Sequence, residues 1–331
     1  MSKFFLDAFT RKKLFTILII LWFTYMFTCF NEFSTDKYPH KRINYVLKKD
    51  NVKIKLTCNK CFTPNVSYLI NNENICRNDE PDKTIDILIL ISTVSDHFEI
   101  RQTLRSTWLS FTRKNTANVR YAFLLGDRSD TVVQTSDIKE NAKHKDIVKG
   151  NFVDSYRNLT YKTILGLQWA VSFCSSARFV LKTDEDVFVN IPNILKLIYN
   201  ESEDLDKTLV GHCTSVQPVE RSASSKSYIP KSMYTNDTYL PFCSGTGYIS
   251  SMVLIKDIYN VSINVTFFPL EDVYIGICAK VLRAKLKDIK GFASDTPKRN
   301  HCIVKDKNIY TIHKVSSSEL KYIWTSSCPS L

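Results

Sequence analysis

Hydrophobic and polar positions divide this chain into three stretches. Leu14 to Phe30 is a 17-residue run without a charge, directly after Arg11, Lys12 and Lys13. From Asn31 to about Lys83 the chain is polar, rich in Asn and Lys, and lacks sustained periodicity. From Ile85 onward apolar blocks recur. Asp86 to Ile91 is continuously apolar after its first residue, which predicts a buried strand of parallel type. Phe98 to Trp108 has helical spacing, and Arg120 to Leu125 predicts the next strand, ended by a turn at Gly126-Asp127. Leu159, Ile164, Leu165, Leu167, Trp169 and Val171 mark a largely buried helix over Leu159 to Phe173. Phe179, Val180 and Leu181 then form a strand, and Val187, Phe188 and Val189 resume the apolar set. A helix near Ile191 to Tyr199 and a strand at Thr208 to Cys213 follow. Ser222 to Ser227 is small and polar, suiting either a mobile lid or a solvated connection. No internal repeat is evident. Strands alternating with helices predict an α/β sandwich on a mostly parallel central sheet, whose ligands bind at the carboxyl ends of strands.

The first two stretches read as an address. A charge-free run of this length is at the lower limit for a membrane-spanning helix, and the preceding basic residues keep residues 1–13 in the cytoplasm. Thr28, Cys29 and Phe30 make a poor cleavage site, which favours an uncleaved signal anchor over residues 14–30. Residues 31–83 then form a lumenal stem, and residues 84–331 the lumenal body. Sequons begin at Asn65, Asn158, Asn200, Asn236, Asn260 and Asn264, glycosylation candidates in a lumenal body. Nine of the ten cysteines lie beyond Phe30, where thiols oxidise in pairs. Cys58 and Cys61 form a Cys-x-x-Cys, but the fourth ligand of a zinc knuckle and the strand and helix of a redox motif are both missing. Disulfide pairing is the reading adopted for them.

The chain has 331 residues and a net charge of +12. Its basic residues are spread along the sequence without a recognised nucleic-acid motif, so a nucleic-acid partner is set aside. Anionic membrane surfaces or phosphorylated donors account for the charge.

Candidate chemistry begins with Asp184, Glu185 and Asp186 at the end of an apolar strand. Like charges this close repel, and a divalent cation or cationic ligand relieves them. Oxygen ligands suit Mn²⁺ or Mg²⁺; a solvated acidic turn is the bland alternative. Arg101 and Arg105 share a helix face, suited to a phosphate or nucleobase or simply to surface ion pairs. Gly245 and Gly247 flank Thr246 in a loop that lets backbone approach a sugar or phosphate. Glu271 and Asp272 open a predicted helix, as general base or as helix-start acids. His313, after Ile309 to Ile312, is a further ligand candidate.

Six segments in order carry a resemblance: EIRQTLRSTW from Glu99, YAFLLGD from Tyr121, FVDSYRNLTYKT from Phe152, FVLKTDEDVFVN from Phe179, FCSGTGYIS from Phe242 and EDVYIGIC from Glu271. Together with the closing IHKVSSSELKYIW, they resemble the β-1,3-galactosyltransferase family of Golgi type II membrane glycosyltransferases. The resemblance implies a GT-A fold, a UDP-galactose donor, Mn²⁺ or Mg²⁺, and β-1,3 transfer to a glycan acceptor on protein or lipid in the Golgi lumen. By position, Asp186 would ligate the metal, Asp184 would meet the ribose or the metal through water, and His313 would complete the ligands. Glu185 holds the variable middle position. Arg101, Arg105 and Lys182 match the nucleotide side, Asp272 the catalytic base, and Glu271 its support or an acceptor contact. The resemblance also implies a Cys278–Cys302 disulfide and suggests a Cys174–Cys243 pair. A homodimer is left open. Leu109 stands where a glycine is common in the family. The Cys-Ser-Gly-Thr-Gly form favours galactose over N-acetylhexosamine transfer, and a catalytically silent lectin-like scaffold is the alternative of another class.

Overall fold

A computed structural model describes residues 57–63, 66–77, 84–128, 130–293, 302 and 306–327. The chain divides into two units, 1–51 and 52–331, and the first lies outside the described residues, together with the predicted anchor, most of the stem and Asn65. Among the described residues no helix is long and apolar enough to cross a membrane.

The body is a sheet between helical layers. The strands are β1 (Tyr68–Ile70), β2 (Ile85–Ser92), β3 (Val119–Asp127), β4 (Ile147–Val153), β5 (Ala177–Asp184), β6 (Phe188–Val189), β7 (Thr208–Thr214), β8 (Phe242–Ser251), β9 (Lys285–Asp288), β10 (Phe292–Ala293) and β11 (Thr311–Ile312). The helices are α1 (Phe98–Ser106), α2 (Thr131–His144), α3 (Leu159–Phe173), α4 (Ile191–Leu205), α5 (Met252–Ser262), α6 (Glu271–Val281) and α7 (Ser317–Thr325). Eight strands form the main sheet in the order β1-β4-β3-β2-β5-β8-β7-β9, and β10-β11-β6 form a small second sheet. The centre of the main sheet, β4-β3-β2-β5, is parallel, whereas β8 runs antiparallel to both its neighbours. The protein is therefore an α/β fold on a mixed, mostly parallel sheet.

Every residue of β2 is buried, because alternate side chains enter two different cores. Leu88 and Leu90 join Leu124, Val180 and α3 on one face; Ile87, Ile89 and Ile91 join Phe123, Leu181 and α4 on the other. That two-sided burial explains the continuous apolar run. Caps close several helices: Asp130 accepts from Val132 N and Val133 N, and Ser316 with Glu319 makes a capping box.

Three expectations change. The Gly-containing segment read as a loop is instead β8, in the interior of the sheet. Its glycines serve close packing: a Cβ on Gly211 of the adjacent β7 would lie 2.6 Å from Gly247 O. Residues 57–63 and 66–77, expected in a free stem, pack onto the body. Phe62 lies against Tyr161, Phe267 and Tyr274, β1 pairs with β4, and Trp169 Nε1 donates to Asn71 Oδ1 at 2.8 Å. Among the described residues, the disulfides with both cysteines described are Cys58–Cys61, Cys76–Cys174 and Cys213–Cys243. Cys174 and Cys243 thus each bond a different partner. Cys278 is a buried free thiol, so the expected Cys278–Cys302 bond is not formed, although Cys302 is itself disulfide-bonded.

Candidate active site

Strand ends and pairings assemble the acidic residues. β5 ends at Asp184, placing Asp184, Glu185 and Asp186 at the carboxyl edge of the central parallel strands. The antiparallel pairing of β6 with β11 sets Phe188 opposite Ile312. That register folds the chain so that His313 Nε2 lies 3.3 Å from Asp186 Oδ2, and Val315 N donates to Asp186 O at 2.9 Å. On the other side of β5, Thr183 faces Gly247 of β8, which carries Gly245 to the same edge. Helix α6 begins there with Glu271 and Asp272.

Lys182 links these groups. Alternation along β5 puts Lys182 and Asp184 on one face. The buried ammonium donates to Asp184 Oδ1 at 2.7 Å, Gly245 O at 2.8 Å and Glu271 Oε1 at 2.6 Å, using all three of its protons. Burial acts to lower the Lys182 pKa, but the Asp184 and Glu271 charges outweigh it and the ammonium is held above its ordinary range. Glu271 is also buried and accepts from Thr163 Oγ1 and Tyr248 Oη, each at 3.2 Å. Desolvation pushes its carboxyl up, against the pull of Lys182. Gly245 makes this arrangement possible, since a Cβ there would lie 2.4 Å from Glu271 Oε1.

Asp272 has a different environment. Its carboxylate accepts from Val273 N at 2.8 Å and Gly245 N at 3.3 Å. Burial raises its pKa despite those donors, which increases its proton affinity. The N-cap of α6 is Leu270, whose side chain offers no acceptor, so neither acid is the cap residue. At Asp186, burial pushes upward but the hydrogen bond and charge of His313 prevail, leaving the carboxyl below its usual range.

Glu185 turns away from this cluster. Its carboxylate binds Thr93 Oγ1 and His97 Nδ1, and its N–H donates to Ser92 O at 3.1 Å. Arg101, expected to meet the donor, is fully buried: its guanidinium binds Glu140, Val94 O, Ser95 O and Thr93 Oγ1. All five of its protons have protein acceptors. It braces the Thr93–Ser95 turn that holds Glu185, and Lys162 Nζ binds Thr93 O in the same turn. Arg105 binds Asp146 twice at 2.8 Å and Glu140 at 2.7 Å. Arg101 is therefore corrected from a donor contact to a buried structural cation, and the partly buried Arg105 is engaged by Asp146 and Glu140.

Among the described residues, no three His, Cys, Asp or Glu side chains converge as a metal centre. Asp184 is committed to Lys182, which leaves Asp186 with His313. One carboxylate and one imidazole fit a Mn²⁺ or Mg²⁺ that takes its remaining ligands from a diphosphate and water.

The galactosyltransferase family model matches residues 99–290. The chain belongs to the galactosyltransferase family. Human and mouse beta-1,3-galactosyltransferase 1 are each 35% identical to it over 258 residues, 78% of this chain and 77% of theirs. Human beta-1,3-galactosyltransferase 5 is 32% identical over 253 residues, 76% of this chain and 74% of its own. Among solved structures, the galactosyltransferase LgtC aligns over 73% of the chain at 12% identity with a TM-score of 0.38, too low to carry residue roles. By this kinship the protein is a glycosyltransferase. Thr93, Lys162, Thr163 and Tyr248 of this galactosyltransferase-family chain were missed as parts of the site; single polar residues in apolar segments give no signal until strand register brings them together.

Proposed function

We propose that this chain transfers galactose from UDP-galactose to a hydroxyl of a glycan acceptor with inversion, forming a β-1,3 link on a GT-A fold. One observation carries the reading: the cluster's acids divide into Asp186 beside His313 at one end and Asp272 at the other, with Lys182 neutralising the acids between them. The donor diphosphate lies at the Asp184–Asp186 edge. Asp186 and His313 would hold a Mn²⁺ or Mg²⁺ there, which would supply charge neutralisation at the diphosphate. Asp272 accepts the proton of the acceptor hydroxyl as that oxygen bonds to the anomeric carbon and the bond to UDP breaks. Glu271 fixes Lys182, and through Gly245 the two helix-start acids hold one strand end in place.

Because burial raises the Asp272 pKa, transfer falls as pH drops through that raised value, earlier than for an ordinary Asp. The basic residues before the apolar run 14–30 support a single-pass type II anchor with the body in the lumen, and the kinship supports a Golgi membrane as its site. Asp272→Asn in the full-length chain should abolish transfer while UDP binding, measured by calorimetry, persists. Retained turnover refutes the base assignment. A panel of UDP-sugars fixes the donor.

A further inference from the structure

A sugar presents one hydroxyl to a base only when its ring is held, and the apolar face of a pyranose is held by an aromatic side chain. Two segments meet beside Asp272 in a way that supplies one. The first is the short turn Tyr156–Asn158, directly before α3. The start of α3 is tied to the segment carrying the base: Thr160 Oγ1 donates to Phe268 O at 2.6 Å and Thr163 Oγ1 to Glu271 at 3.2 Å. Tyr156, one turn earlier, is 39% exposed. Burial and then the Asp272, Asp184 and Glu271 carboxylates keep its phenol protonated above the ordinary range, which sets the ring within the field of the acidic cluster. Tyr239 and Tyr248 also feel Asp272, but both are buried and present no open ring face.

The second segment is the excursion between β7 and β8. It closes through a bridge between Pro218 and Thr238, and Tyr239 N donates to Gln217 O at 2.9 Å. Within it the Arg221 guanidinium donates to Ile229 O, Tyr234 O and Asn236 O at 2.7, 2.8 and 2.7 Å. A loop tied to its own arginine in this way is a built wall. The exposed Lys226, in the Ser-rich stretch, holds its ammonium 4.9 Å from the centroid of the Tyr156 ring. A cation over one face orients the ring, and the residue keeps exposed surface that a ligand can cover.

We propose that Tyr156 is the platform on which the acceptor sugar stacks, and that the 216–241 excursion, through Lys226, sets which acceptors fit. The proposal rests on Asp272 as the base and extends that reading to the second substrate. Sugar stacking needs the ring and not the hydroxyl, so phenylalanine should replace Tyr156 and alanine should not.

The test uses the full-length chain with UDP-galactose and two probes, p-nitrophenyl β-N-acetylglucosaminide and p-nitrophenyl β-galactoside. Tyr156→Ala should raise the KM of the better probe about tenfold or more while donor KM stays within about twofold, and Tyr156→Phe should stay within about threefold of wild type. Lys226→Ala should change the ratio of kcat/KM between the two probes by about threefold, with Lys226→Arg restoring it through a retained cation–ring contact. The proposal is overturned if donor and acceptor KM rise together in Tyr156→Ala, if Tyr156→Phe is as damaging as Tyr156→Ala, or if Lys226→Ala leaves the probe ratio unchanged. Saturation-transfer NMR of both glycosides in the presence of UDP and Mn²⁺ decides the matter without turnover: a glycoside signal abolished in Tyr156→Ala supports the platform, and an undiminished signal refutes it. Absence of transfer by a wild-type chain that still binds a probe through Tyr156 would count against the transferase reading alone.

Discussion

Replacing Lys182 by methionine tests the central ion cluster. The substitution preserves the bulk of the stem and deletes an ammonium that meets Asp184, Glu271 and Gly245 O. Glu271 is buried and keeps only two neutral hydroxyl donors, Thr163 and Tyr248. Removing one partner of a buried ion pair costs about 3–5 kcal/mol. Asp184 is about one-third exposed and water can partly replace its bond, so the lower end, about 3 kcal/mol, is expected. The loss should depend on pH with a defined sign. Burial already raises the Glu271 pKa, and deleting Lys182 removes the chief influence pulling it down. Between the ordinary carboxylate range and the raised value, the folded variant keeps a proton that the unfolded chain has released. Variant stability therefore falls as pH rises through that window and recovers below it. Urea unfolding of the full-length chain in detergent at about pH 5 and about pH 7.5 should show a deficit that shrinks at the lower pH. Lys182→Met combined with Glu271→Gln should recover more than half of the loss at the higher pH. A deficit below about 1 kcal/mol, equal at both pH values and unrelieved in the double variant, would refute the reasoning.

Two further outcomes separate structural from ligand-binding roles. Arg101→Met should lower unfolding stability by about 1.5–3 kcal/mol, because buried Glu140 loses one of its two arginine partners and keeps only Arg105, and Glu140→Met in addition should return part of it. A rise in donor KM with unchanged stability would restore the donor-contact reading of Arg101. Replacing the Cys76–Cys174 pair by alanines should cost more than replacing Cys58–Cys61, because the sequence separations are 98 and 3. Chain-entropy scaling gives about 4.7 against about 1.6 kcal/mol, checked by the denaturant midpoints of the two double variants.

The central strands and the buried helix α3 were legible because two-sided burial writes an unbroken apolar run. β8 was misread because its glycines serve packing against Gly211 and Glu271, and such close approach resembles a turn in sequence. Helix α2 was missed: its face is mainly polar, and it carries Glu140 to Arg101 through a buried ion pair that no local pattern signals. Arg101 and Arg105 sit correctly on one helix, but what they face depends on residues about forty positions away. The long-range pairs Cys76–Cys174 and Cys213–Cys243 were unreadable for the same reason, whereas the disulfide expected at Cys58 and Cys61 is formed. Asp186, His313 and Asp272 were candidates from their own segments and took their roles from the ordered motifs, whereas the contact of His313 with Asp186 follows from the β6–β11 register.

The five acids at this edge illustrate how a fold can concentrate carboxylates without dissipating their function. Left together they would raise one another's pKa values, and several would be neutral. The structure separates them by partner. Glu185 is withdrawn to Thr93 and His97, Asp184 and Glu271 share Lys182, and Asp186 is lowered by His313. Asp272 alone meets only backbone donors, Val273 N and Gly245 N, and its pKa moves up. A carboxyl held low suits a cation, and a carboxyl pushed high suits a proton. The opposite shifts of Asp186 and Asp272 follow from who their neighbours are, and they set metal binding and base chemistry at opposite ends of one lysine-bridged cluster.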